Sequence, residues 1–200
     1  MSSLIFILVF VVAAYLIGSI SFGVVMSKAF GLPDPHSYGS GNPGATNVLR
    51  SGKKLAAALT LFGDAAKGWL PVWLALHMGL ALMWVDAIAA AVFLGHLYPC
   101  LHGFKGGKGV ATAFGILLAF SAPAALCVFA TWIVVFAIWR ISSLAAIVAG
   151  VSSVLYAGLI LGWDAQVLAY TAIAVVLIWR HKANIQRLVK GEEPAFGKAK

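Results

Sequence analysis

The sequence is short of charge, and of negative charge above all. Only 10% of its 200 residues are charged, 6 acidic against 14 Lys and Arg. A water-soluble domain covers its surface with about 25% charged residues, so that class is excluded first. Few carboxylates also leave little for a metal. Asp34, Asp64, Asp86 and Asp164 are scattered along the chain, and no metal or other cofactor is expected. Cysteine is scarce too. Cys100 and Cys127 lack metal-ligand spacing, and a disulfide is not expected if Cys100 faces a reducing cytoplasm. Met1–Leu4 carry no Lys or Arg, so the first apolar run is read as a permanent span rather than a cleaved signal. The phosphate-loop pattern G-x-x-x-x-G-K-[ST] of nucleotide-binding proteins is missing as well.

What is abundant is hydrophobic: 62% of residues, with a mean hydropathy of +0.98. The chain reads as a polytopic, all-α integral membrane protein with one membrane-embedded domain over 1–200 and no internal repeat. Seven apolar runs are visible: Leu4–Met26, Leu55–Gly79, Leu80–Tyr98, Val110–Phe120, Pro123–Trp139, Leu144–Leu161 and Ala165–Trp179. A perpendicular helix needs roughly 20 residues to cross the hydrocarbon, so the stretch from Val110 to Trp139 reads as one overlong helix or as two broken near Ser121-Ala122-Pro123. Charge chooses between them. With seven spans, Lys28, Arg50, Lys53, Lys54, Lys105, Lys108, Arg140 and the tail cations Arg180, Lys182, Arg187, Lys190, Lys198 and Lys200 share one side. Six spans would put Arg140 and the tail outside, against the positive-inside rule. The expected topology is seven transmembrane helices, N-terminus outside and C-terminus cytoplasmic. The net charge of +8 then reflects this loop bias, and nucleic acid is not an expected partner.

The polar residues gather in loops on the expected cytoplasmic side. The first stretch is Tyr38-Gly39-Ser40-Gly41-Asn42-Pro43-Gly44-Ala45-Thr46-Asn47-Val48-Leu49-Arg50. The second is Gly95-His96-Leu97-Tyr98-Pro99, followed by Phe104-Lys105-Gly106-Gly107-Lys108-Gly109-Val110-Ala111-Thr112. The third is His181-Lys182-Ala183-Asn184-Ile185-Gln186-Arg187-Leu188, running on to Gly191-Glu192-Glu193. A shorter one is Arg140-Ile141-Ser142-Ser143-Leu144. Glycine lets successive backbone N–H groups face one concavity, a helix start favours an anion, and Lys, Arg, Ser, Thr and Asn add donors. This combination suits phosphate. Each feature also has a plainer use. The glycines serve equally as turns and caps, and Lys53, Lys54, Lys198 and Lys200 read as topology signals. Asp64 and Lys67 read as a neutralised pair packing helices, His96 as a capping or packing residue as readily as a catalytic one, and Cys100 as unactivated.

These stretches resemble the bacterial acyl-phosphate:glycerol-3-phosphate acyltransferase (PlsY) family. The resemblance rests on Ser40-Gly41-Asn42-Pro43-Gly44-Ala45-Thr46-Asn47, on Gly95-His96 with Phe104–Thr112, and on His181-x-x-Asn184-Ile185-x-Arg187-Leu188, in order along nearly the whole chain. It implies seven helices in the bacterial inner membrane with both small-molecule substrates, acyl phosphate and glycerol 3-phosphate, bound on the cytoplasmic side beside membrane lipid. It implies acyl transfer to the 1-hydroxyl, giving lysophosphatidic acid and phosphate, the first acylation step of phospholipid biosynthesis. Acyl-CoA and acyl carrier protein would not be direct donors. The His-x-x-x-x-Asp motif of other glycerol-phosphate acyltransferases is absent, since none of the 5 histidines has Asp at that spacing.

On this reading Lys108, His181 and Ser143 are the catalytic candidates. Substrate-binding candidates are Ser40, Gly41, Asn42, Gly44, Thr46, Asn47, Arg50, Lys105, Gly106, Gly107, Gly109 and Asn184. Lys108 and the Gly106–Gly109 backbone would hold the acyl-phosphate headgroup, helped by Thr46 and Ser143. Ser40, Arg50, His181 and Asn184 would hold glycerol 3-phosphate. Either His181 or a substrate phosphate would be the general base. A mixed-anhydride donor needs positioning and charge stabilisation more than a protein nucleophile, so direct transfer without an acyl-enzyme is expected. A transporter for phosphate or a phosphorylated solute is the alternative, but it would place its site near the midplane and show an inverted repeat. An intramembrane serine protease fails for want of a G-x-S-G loop, since the residues run Tyr38-Gly39-Ser40-Gly41.

Overall fold

A computed structural model describes the chain from residue 2 to residue 197, so the tail cations Lys198 and Lys200 lie outside the described residues. Those residues form helices and connecting turns, with no strand among them. In chain order the helices are α1 (Ser2–Gly18), α2 (Phe22–Ala29), α3 (Ala45–Leu49), α4 (Lys54–His77), α5 (Leu82–Leu97), α6 (Val110–Phe120), α7 (Ala122–Trp139), α8 (Ser142–Leu161), α9 (Ala165–Arg180) and α10 (Lys182–Val189). A single 3₁₀ turn, Cys100–His102, follows α5.

The seven apolar runs reappear as helices, with one correction. The run Leu4–Met26 is two helices: α1 stops at Gly18, and α2 leaves at 47°. The break costs backbone hydrogen bonds, which local groups restore. Ser19 N–H donates to the Tyr15 carbonyl, Ser19 Oγ to the same oxygen, and Lys67 Nζ donates to the Ile20 carbonyl at 2.6 Å. The stretch from Val110 to Trp139 is two helices. Ser121 ends the first and caps the second, its Oγ accepting the Ala124 N–H at 3.3 Å, with Pro123 in the first turn where no N–H is needed. Among the described residues, Leu82–His102, Ala122–Trp139 and Ser142–Leu161 are long and apolar enough to cross a membrane, and the bent pair α1–α2 makes a fourth. Helices α6 and α9 are apolar but shorter. Phe62, Leu126, Leu159 and Leu168 stand exposed on their helices, a surface that suits lipid rather than water.

The chain forms two compact units, Met1–Phe120 and Ser121–Lys200. In the first, α4 lies on α6 through small residues. A Cβ at Gly68 would collide with the Thr112 carbonyl and one at Gly115 with the Ala65 carbonyl, so the two backbones touch. Helix α1 meets α5 similarly, and Tyr15 Oη donates to the Tyr98 carbonyl at 2.7 Å. Val85, Ile88, Val92, Leu97, Ile116 and Leu117 are sealed from solvent in this unit. In the second unit α7 and α8 are joined by Thr131 Oγ1 and Tyr156 Oη, 3.0 Å apart. Asp64 and Lys67, expected as a neutralised pair, are one turn apart in α4 with Nζ 2.7 Å from Oδ1 and both side chains buried.

Candidate active site

The first polar stretch is a turn built around Asn47. Asn47 sits in the one-turn helix α3 and is 2% exposed. Its Oδ1 accepts the Ser40 N–H at 2.9 Å, while Nδ2 donates to the carbonyls of Pro35 at 2.8 Å and Tyr38 at 3.1 Å. The amide is thereby committed to backbone, so Asn47 shapes the turn, whereas Ser40 and Arg50 stand exposed on it. Gly41 takes a left-handed φ of 65°, which an L side chain resists, and Gly44 leads into α3. Asn42 and Thr46 are half-buried on the same turn.

The second stretch is pressed onto the end of α5. Gly107 N–H donates to the His96 carbonyl at 3.2 Å. A Cβ on Gly107 would collide with the His96 ring, and one on Gly106 with the His96 carbonyl, so this backbone approaches as only glycine permits. Gly109, with φ of 87°, turns the chain into α6, and its carbonyl accepts the Ala113 N–H at 2.7 Å. Lys108 is half-buried just ahead of that helix start, and Lys105 is exposed. A glycine-rich backbone with a lysine running into a helix N-terminus has the electrostatics to hold a phosphoryl group.

One residue given no role from the sequence joins the two stretches. His36 Nε2 donates to the Lys105 carbonyl at 3.1 Å, and Nδ1 donates to Asp34 Oδ1 at 2.7 Å. The His36 backbone N–H also donates to Asp34 Oδ1 at 2.9 Å. That bond above all, helped by the His36 ring, outweighs desolvation and holds the Asp34 carboxyl below its ordinary value.

The second unit brings Ser143, Asn184 and Arg187 into one polar cluster around a residue the sequence left unassigned. Glu193 Oε1 accepts from Ser143 Oγ at 2.6 Å and from Asn184 Nδ2 at 2.6 Å, while Oε2 pairs with Arg187 Nε at 2.6 Å. Burial favours the neutral acid, yet these three donors and the Arg187 charge outweigh it and hold the Glu193 carboxyl below its ordinary value. The tail carrying Glu193 is anchored further on, where Phe196 N–H donates to the Arg140 carbonyl at 2.6 Å and the Phe196 ring meets Phe136 edge-on. His181, buried between α9 and α10, donates Nδ1–H to the Leu177 carbonyl at 2.8 Å. That bond assigns the basic lone pair to Nε2, the form a general base needs. The only sequence signal for Glu193 was an acidic pair, Glu192-Glu193, after a basic helix.

Other candidates have plainer surroundings. His77 Nδ1 bonds the Trp73 carbonyl at 2.9 Å within its own helix, and Cys100 Sγ donates to Ser19 Oγ at 3.6 Å. Among the described residues no group of His, Cys, Asp and Glu is arranged to hold a metal.

Residues 8–191 match the model of the family described as glycerol-3-phosphate acyltransferase. The glycerol-3-phosphate acyltransferase of Methylobacillus flagellatus is 60% identical over 190 residues, covering 95% of this chain and 97% of that one. That of Ralstonia nicotianae is 54% identical, covering 100% of this chain and 99% of its own. Two crystal structures of PlsY (YgiH), an integral membrane glycerol 3-phosphate acyltransferase, are each 40% identical and cover 96% of this chain. The glycerol 3-phosphate form covers 96% of that chain with a TM-score of 0.90, and the lysophosphatidic acid form 95% with 0.88. With its whole length matched in sequence and in fold, the chain belongs to the glycerol-3-phosphate acyltransferase family.

Proposed function

We propose that this protein transfers a fatty acyl group from acyl phosphate to the 1-hydroxyl of sn-glycerol 3-phosphate, releasing lysophosphatidic acid and inorganic phosphate. The glycine-rich backbone laid on His96, with Lys108 just ahead of α6, is the observation that supports the donor assignment, because backbone N–H groups and a cation at a helix start favour a phosphoryl group. The relative's two solved forms, with glycerol 3-phosphate and with lysophosphatidic acid, support the acceptor and the product. The proposed setting is the inner membrane of a bacterium, crossed seven times with the N-terminus outside, the polar loops facing the cytoplasm and the whole chain acting as one catalytic domain. The grouping of thirteen of the fourteen Lys and Arg on one side supports that topology.

The proposed reaction is direct. The acceptor hydroxyl oxygen bonds the acyl carbonyl carbon, the bond from that carbon to the phosphate oxygen breaks, and phosphate leaves with the electron pair. The hydroxyl proton passes to His181 Nε2 or to a substrate phosphate. Lys108 and the Gly106–Gly109 N–H groups, with Thr46 and Ser143, stabilise the donor phosphate. Ser40, Arg50 and Asn184 hold the acceptor. Asn42, Gly41, Gly44, Asn47 and Lys105 shape the loops that present them. The work is placement and charge stabilisation, which a mixed anhydride makes sufficient.

The deciding experiment uses purified protein in detergent with acyl phosphate, acyl-CoA or acyl carrier protein thioester, each with glycerol 3-phosphate. Lysophosphatidic acid is expected from acyl phosphate alone. Product from a thioester at equal rate overturns the donor assignment.

A further inference from the structure

A chain of buried contacts runs from the break in the first helix pair to the glycine-rich loop. Lys67 Nζ reaches the Ile20 carbonyl at 2.6 Å and Asp64 Oδ1 at 2.7 Å. The same Asp64 oxygen lies 3.6 Å from His96 Nδ1, and the side chains of Lys67, Asp64 and His96 are 2%, 4% and 7% exposed. The opposite edge of the imidazole, at Nε2, is where a Gly107 Cβ would collide, and the His96 carbonyl accepts the Gly107 N–H. Three ionisable side chains buried in an apolar helix cluster are costly unless they serve one another or a site. Here the carboxylate faces one edge of the ring and the loop rests on the other.

We infer that His96 is a positioning residue: its ring is the floor on which Gly106 and Gly107 set the phosphate-facing backbone, Asp64 fixes the ring's tilt, and Lys67 balances Asp64 while closing the Ile20 carbonyl. The inference rests on the reading of this loop as the holder of a substrate phosphate. Helix α4 also meets the chain beyond the loop, through Gly68 on the Thr112 carbonyl, so one helix steadies both flanks of the loop. Backbone N–H groups reward a phosphate only when aimed, and a shift of about 1 Å in such a loop is worth up to 10²-fold in rate.

The test uses the full chain in detergent, with KM and kcat for each substrate and thermal unfolding of every variant. His96→Ala and Asp64→Asn are expected to raise the KM of one substrate, the same one for both, by roughly tenfold, while the other KM holds. A merely structural role lowers the active fraction, and thus apparent kcat, and leaves KM in place. Lys108→Ala separates the two readings. If it leaves both KM values unchanged, the loop does not hold a substrate phosphate. If it raises one KM while His96→Ala and Asp64→Asn lower only kcat, the loop reading stands and the positioning role is wrong. Gly107→Ala and its double with His96→Ala cover a failure of Asp64→Asn to fold. The three atoms nearest a Gly107 Cβ all belong to the His96 ring, so removing the ring is expected to restore to the double variant at least part of the KM lost in Gly107→Ala. Strictly additive losses overturn the proposal.

Discussion

His36 reaches the carbonyl of Lys105 at 3.1 Å across 69 positions of sequence, and so ties the Ser40 turn to the glycine-rich loop. The ring is itself aimed by Asp34, which receives both its Nδ1–H and its backbone N–H. His36 and Asp34 lie outside the stretches that identify the family, yet they tie the two loops together.

Replacing His36 with Ala removes that tie while leaving both loops their own internal bonds. The bond is partly exposed, so its worth is about 1 kcal/mol. A loss of roughly fivefold in kcat/KM is expected, with unfolding temperature little changed, as follows from an energy of that size. Steady-state kinetics beside a melting curve in detergent checks it. No change in kcat/KM means the two loops keep their places without the ring.

Asn47 gives a sharper case. Substitution by Asp keeps the shape but turns the two Nδ2 donors into an acceptor facing the carbonyls of Pro35 and Tyr38. A buried and a half-buried carbonyl then face a carboxylate, a penalty of about 2–4 kcal/mol. Asn47→Asp is therefore expected to lose more stability than Asn47→Ala, which leaves the carbonyls unpaired but not repelled. Denaturation of the two variants side by side decides; the reverse order means that the turn relaxes around the charge.

Glu193 carries the acid dependence of the second unit. Its carboxyl sits below its ordinary value in the folded protein, so its stabilisation is complete above the unfolded value of about 4.3 and fades as pH falls through the lower folded value. Glu193→Gln offers one acceptor where three donors converge, and the Gln N–H₂ must face Ser143 and Asn184 or Arg187. A loss of roughly 1–3 kcal/mol at neutral pH is expected. The gap between wild type and variant should narrow as pH drops below 4.3. Unfolding followed from neutral to acid pH measures it, and a gap that is constant or widens contradicts the assignment.

If His181 is the general base, His181→Asn and His181→Gln are expected to lower kcat by about 10²-fold or more with KM less affected. An effect confined to KM gives the proton to a substrate phosphate instead. Direct transfer further requires that labelled acyl phosphate alone leave no acyl group on the protein, Cys100 and Ser40 included; mass spectrometry reads this.

The helices were legible because hydrophobic runs and their punctuation are local. Ser121 before Pro123 spells a cap and a first turn, and the break there is observed. The break at Ser19–Ser21 was not legible. No proline marks it, and what sustains it is Lys67, forty-seven positions away. In the candidate site the residue types were legible, but the partners that the fold gives them were not. Asn47 reads as a donor for substrate, and its buried amide is spent on the turn. Glu193 and His36 carry little pattern, since their meaning comes from partners that only the folded chain assembles.

The turn held by Asn47 is closed by bonds that lie wholly within the chain. The freedom its backbone would otherwise surrender on meeting an anion has already been given up during folding. On the proposed function, Ser40 and Arg50 would be offered from a stiff platform, and the enthalpy of their contacts would be kept for affinity rather than spent on ordering a floppy segment.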